Sequence, residues 1–186
     1  MAPPTLSNRP MNVMFRTAAL AGLSVVLLTG CQTAKDRANC PVATVLSSAS
    51  WLTSFKPGMQ DDPSGELYTV QMTGVNQSCD FDKDEGTADS DVVITFRATR
   101  TPTGDPAHYP VPYFIASILD GSNIQTKQIQ ATTFDFNPGE ASTTFSITAP
   151  AYRTKFDNGK KPYQYGLIVG LQLTREQLDY NKKIDR

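Results

Sequence analysis

Tyr165-Gly166-Leu167-Ile168-Val169-Gly170-Leu171-Gln172-Leu173 is the stretch that decides the fold class. Tyr165, Leu167, Val169, Leu171 and Leu173 form an apolar stripe with a period of two, the spacing at which a strand returns to the same face. The same period runs through Tyr68, Val70 and Met72, through Val92, Ile94, Phe96 and Ala98, and through Thr143, Phe145 and Ile147. Each of these predicts a strand with one buried face. Val111 to Leu119 is apolar at both parities (Tyr113, Phe114, Ile115, Ala116, Ile118) and reads as a central strand. Ile129 to Phe136 is a further strand closed by Asn137-Pro138-Gly139, and Asp120-Gly121-Ser122-Asn123 is the hairpin turn between the two. Val42 to Phe55 fits either a strand or a short helix. At the other end, Thr174 can cap a short helix, with Gln177 returning the bond, Leu178 as its apolar contact and an end near Lys183.

Together with 13 Pro and 12 Gly spread along the chain, this predicts an all-β fold. The expectation is an immunoglobulin-like or fibronectin-type antiparallel β-sandwich of about seven strands with a short C-terminal helix. An immunoglobulin domain proper is not expected. Cys79 arrives before most of the strands, although Trp51 follows Cys40 at a tempting distance, and Gln77 stands where a tyrosine corner would need Tyr. A length of 186 residues with 39% hydrophobic side chains suits one domain. With 17 Lys and Arg against 18 Asp and Glu, the chain lacks the basic excess of a nucleic-acid binder.

Residues 1–30 read as a lipoprotein signal peptide. Arg9 and Arg16 supply its positive region, and Thr17 to Leu28 is an apolar run too short to span a bilayer. It ends in Leu28-Thr29-Gly30-Cys31, the pattern of a bacterial lipobox, in which the Cys31 thiol accepts the diacylglyceryl group. The alternative is an ordinary secretory signal with Cys31 in a disulfide. Met11 or Met14 would make a tidier start than Met1. Cleavage before Cys31 removes both arginines and takes the net charge from −1 to −3, so attachment falls to the acyl chains, several of which hold firmly. Gln32 rather than Asp after the lipidated cysteine points to the periplasmic face of the outer membrane.

With Cys31 acylated, Cys40 and Cys79 remain in an oxidising compartment, and a bridge between them is predicted. It closes a loop of about 40 residues, worth about 4 kcal/mol in the chain-entropy model. Two separate buried thiols are the alternative. Residues 31–39 are then a lipidated tether reaching about 30 Å at full extension, which keeps the 40–186 sandwich domain close to the membrane.

Chemistry is sparse. Asp80, Asp82, Asp84 and Asp91 alternate along an acidic segment and could converge on Ca²⁺. The match to an EF-hand loop is imperfect, because Gly86 falls one place late and Asp91 stands where a bidentate Glu belongs. A solvated acidic hairpin is the plainer reading. His108 is the sole histidine, so no serine can join a triad with a second one, and it reads as a surface residue. Tyr113 and Tyr165 fall on inward parities. Tyr109 and Tyr163, each beside a proline, are the aromatic residues expected to be exposed and to offer a partner surface. Lys155, Lys160 and Lys161 around Gly159 read as a solvated hairpin tip.

Several blocks resemble a family of uncharacterised outer-membrane-type lipoproteins of alphaproteobacteria. They are Cys40-Pro41-Val42-Ala43-Thr44-Val45-Leu46, Leu52 to Gly58 with its Phe55-Lys56-Pro57-Gly58 end, Val111-Pro112-Tyr113-Phe114 and Val169-Gly170-Leu171-Gln172-Leu173-Thr174-Arg175-Glu176-Gln177-Leu178. The resemblance implies an exported, single-domain lipoprotein and carries over no activity, cofactor or catalytic residue. The expected function is a non-catalytic accessory or structural subunit of an envelope complex, anchored through Cys31 and docked on an envelope protein. The alternative is a ligand-binding module, for Ca²⁺ through the acidic segment or for a glycan.

Overall fold

The structure, a computed structural model, describes residues 39–60 and 62–186. Residues 1–30, read above as a signal peptide, and Cys31 lie outside the described residues. Nine strands follow in order: β1 (Val42–Val45), β2 (Trp51–Phe55), β3 (Glu66–Asp82), β4 (Thr87–Thr99), β5 (Ala107–Leu119), β6 (Asn123–Phe136), β7 (Ser142–Thr148), β8 (Tyr152–Lys155) and β9 (Tyr165–Leu171), then helix α1 (Arg175–Lys183). They form a four-stranded sheet in the order β1-β9-β5-β6 and a five-stranded sheet in the order β2-β3-β4-β7, with β8 also on β4. The fold is the expected all-β, two-sheet sandwich.

Two particulars differ from the sequence expectation. The described residues form nine strands because β4 is long enough to pair β7 through Val93–Thr99 and β8 through Thr87–Ser90, and because the ambiguous N-terminal stretch divides. Its Val42–Val45 joins β9, a 3-10 turn at Ser47–Ala49 crosses over, and Trp51–Phe55 joins β3 in the other sheet. The second difference is one parallel pair, β1 with β9. A connection of more than a hundred residues between those two strands permits it, where a hairpin could not.

The apolar stripes meet between the sheets. Val92, Ile94, Phe96 and Ala98 of β4 are fully buried and pack with Leu167, Val169 and Leu171 of β9 in one core. The Cys40–Cys79 disulfide, with Cα atoms 6.1 Å apart, ties the approach to β1 to β3 of the opposite sheet. α1 begins with the expected capping box: Gln177 N–H donates to Thr174 Oγ1, and Thr174 N–H donates to Gln177 Oε1. Its Asn181 Nδ2 donates to the Trp51 carbonyl and its Gln177 Nε2 to that of Thr53. The helix thereby covers the edge of β2, which would otherwise be an open template for another strand.

Candidate docking face

A sandwich buries one face of each sheet, and the outer faces are ordinarily polar. The five-stranded sheet follows this rule. On its outside, Thr95 Oγ1 and Ser146 Oγ lie 3.0 Å apart, Arg97 Nε donates to Ser142 Oγ, and Arg153 forms a two-pronged pair with Asp89 at 2.6 and 2.8 Å. That pair holds the Asp89 carboxyl below its ordinary pKa, chiefly through the hydrogen bond from Arg153.

The four-stranded sheet does not follow it. Register places Val42, Gly166, Ile118 and Ile124 in one row across its outer face, and Gly170, Phe114 and Ile129 in a row two steps along. Between them run Thr44, Ile168, Ala116 and Lys127. Val42, Ile124 and Ile129 are 67%, 64% and 61% exposed. A concavity of about 300 Å³ opens on this face, lined by Leu46, Ala49, Phe114, Ile124, Lys127 and Ile168. A Cβ at Gly170 would come within 2.8 Å of the Phe114 ring and 3.0 Å of Ala49 Cβ, so the glycine is what lets that ring sit over β9. Lys127 Nζ stands 4.2 Å above the same ring.

The rim of the face is pinned by charge. At the β5–β6 turn, Asp120 accepts from Lys160 Nζ at 2.8 Å and from Gln164 Nε2 at 2.9 Å. These bonds, that from Lys160 foremost, hold its carboxyl below the ordinary value. The turn is thereby tied to the 3-10 turn Pro162–Gln164, from which Tyr163 projects, 77% exposed. Among the described residues, the exposed large hydrophobic side chains are Val42, Leu46, Ile124, Ile129 and Tyr163. All five belong to the four-stranded sheet or to the turns flanking it.

The residues singled out in the sequence fall elsewhere, Tyr163 excepted. Tyr109 corrects the expectation of an exposed aromatic: it is half-buried, 4.2 Å from the Tyr68 ring centroid, and packs near Phe134 and Phe136. Pro110 marks no loop here, because β5 begins at Ala107 and carries Tyr109 on its inward parity. Asp80, Asp82 and Asp91 lie along the paired strands β3 and β4, with Asp84 in the turn. Asp82 spends one oxygen on the Asp84 and Glu85 N–H groups. Carboxylates spaced along a strand are spread in a line rather than wrapped around a point, as Ca²⁺ requires. Among the described residues, no three acidic, His or Cys groups are gathered as a metal site. His108 is exposed, its Nδ1 2.6 Å from Asp135 Oδ1.

Sequence reading missed the role of Ile124 and Ile129. They are an odd number of residues apart, which ordinarily means opposite faces. The β5–β6 register shifts between Ser117 and Ile118 and leaves Gln125 unmatched, so parity flips and both isoleucines face outward. Among the described residues, no helix is long and apolar enough to cross a membrane. No protein-family model, curated protein or solved structure matches the chain.

Proposed function

We propose that this protein is a non-catalytic lipoprotein of the bacterial cell envelope, held by acyl chains on Cys31 at the periplasmic face of the outer membrane, and an accessory subunit of an envelope complex. The observation that carries the envelope-held part of this reading is the apolar outer face of the four-stranded sheet, a surface of the kind that meets a membrane or a partner. The chain enters the sandwich at the end of that face: Val42, in its outermost row, lies two residues beyond the disulfide-held Cys40. Eight residues, Gln32 to Asn39, separate Cys40 from the lipobox cysteine, a reach of about 30 Å. A contiguous exposed apolar patch on an exported domain marks an interaction surface, and this one sits where a short tether would deliver it. The lipobox and the resemblance to alphaproteobacterial lipoproteins support the same location.

The test is photo-cross-linking in intact cells, with reactive side chains placed around the sandwich of the lipidated chain, followed by identification of what is captured. One dominant envelope complex is the expected result. Capture of neighbours in proportion to their abundance would sink the accessory-subunit reading.

A further inference from the structure

The exposed face needs an occupant, and we propose that it is the lipid surface itself: the outer row Val42, Ile118 and Ile124, with Tyr163 beside it, rests in the membrane interface. This rests on the lipid-anchor reading above. Three observations favour lipid over a protein partner. First, the chain's entry point fixes what is near. A tether of about 30 Å holds Val42 within reach of the bilayer, and β1 places Val42 in the same row as Gly166, Ile118 and Ile124.

Second, the side chains suit an interface with lipid. The exposed large hydrophobic ones in the rows are the aliphatic Val42, Ile124 and Ile129, without the Trp or Arg anchors that dominate protein interfaces. Tyr163 has an apolar ring and a polar tip, the residue type that collects at the headgroup level. Lys127 lays its stem over Phe114 and can carry its ammonium outward to the headgroups. Third, charge gives no other explanation. A mature chain of net −3 is not drawn to anionic lipid, so contact must come from apolar burial and should be indifferent to salt. Lipid on this face would leave the polar outer face of the five-stranded sheet pointing away from the membrane, free for a protein partner.

The experiment uses the full mature chain with its native anchor, in vesicles of phosphatidylethanolamine and phosphatidylglycerol. An environment-sensitive fluorophore is placed on Ile124→Cys or Ile129→Cys, and on Thr144→Cys or Ser146→Cys of the opposite sheet as controls. Brominated lipid should quench the first pair several-fold more than the second, equally in low salt and in 0.5 M salt, a concentration at which the Debye length is only about 4 Å. Equal quenching at all four sites, with Cys31 acylated by intact mass, overturns the lipid-facing surface and leaves the anchor standing. An unacylated Cys31 overturns the anchor reading and this proposal with it. Shielding of Ile124→Cys from aqueous iodide without lipid quenching assigns the face to a protein contact and refutes the lipid occupant.

Discussion

Tyr152 offers the sharpest test of the packing beneath the apolar outer face of the four-stranded sheet. It lies on the short strand β8 and is fully buried. Its hydroxyl reaches across the sandwich to β5 and β6, where it accepts the Ser117 N–H at 3.0 Å and donates to the Thr126 carbonyl at 3.2 Å, beside Thr126 Oγ1. This is the point at which the β5–β6 register shifts. The shift opens the ladder, and the phenol fills the gap as a bound water would. Tyr152→Phe keeps the ring and removes only the oxygen. Ser117 is 2% exposed, so its orphaned N–H has no route to water, and an unsatisfied buried donor costs about 1 to 3 kcal/mol. With the Thr126 carbonyl also deprived, the upper half of that range, about 2 to 3 kcal/mol, is expected. Urea unfolding followed by far-ultraviolet dichroism, with the disulfide intact, should show the midpoint fall at constant slope. The melting temperature should fall by about 5 to 10 °C for a domain of this size. Amide exchange at Gln125 to Lys127 should quicken, because Thr126 loses its bonds to the Tyr152 hydroxyl. A Tyr152→Phe protein within about 0.5 kcal/mol of the parent would refute the reasoning, since that is the scatter of a neutral surface change.

Gly170→Ala should cost about 1 to 3 kcal/mol by overpacking, because the new Cβ would stand 2.8 Å from the Phe114 ring; denaturant titration measures it, and a neutral result would mean the ring moves freely. Reducing the Cys40–Cys79 bridge, or replacing both with Ser, should lower stability by about 4 kcal/mol, read by the same titration. The Asp120 carboxyl, held down first by Lys160 and then by Gln164, should titrate below the ordinary range near pH 4 when followed by carboxyl-carbon NMR. Because its folded pKa is depressed, its contribution is present above the unfolded value and lost as pH falls through the folded one. Lys160→Met should move that midpoint back up. Calorimetry of the full chain with Ca²⁺ should give no heat and no shift in melting temperature; a saturable heat abolished by Asp82→Asn would revive the ligand-binding alternative.

Much of the fold was legible because burial writes a period into sequence. The stripes of β4 and β9 announced themselves, and Asp120-Gly121 announced its turn, both residues at positive φ (51° and 84°) in the three-residue loop Asp120 to Ser122. What stayed hidden lacked a buried face. Asn123 to Gln128 of β6 is exposed on both sides, so no alternation marks it as strand. β8 has four residues, of which only Tyr152 and Thr154 are buried, too few to establish a period. The apolar outer face was illegible for a further reason: its isoleucines share a side only through the register shift at Gln125, a feature of pairing rather than of either strand alone.

The asymmetry between the two outer faces bears most directly on function. A core requires only the inner face of each sheet, and hydrophobic side chains left over on the outside would be expected on both sheets alike. Among the described residues the exposed ones gather on one, where Phe114 and Ile118 lie over the backbone of Gly170 and Gly166. The chain covers part of this face itself. Ala49 and Leu173 pack on Phe114 and Ala116, and the cover stops short of Val42, Ile124 and Ile129. The face is half closed by the chain's own turns and open at the end where Cys40 leads into β1, the arrangement on which the proposed membrane contact rests. The opposite sheet, whose Thr, Ser and Arg side chains already bond one another, has no comparable surface to hide.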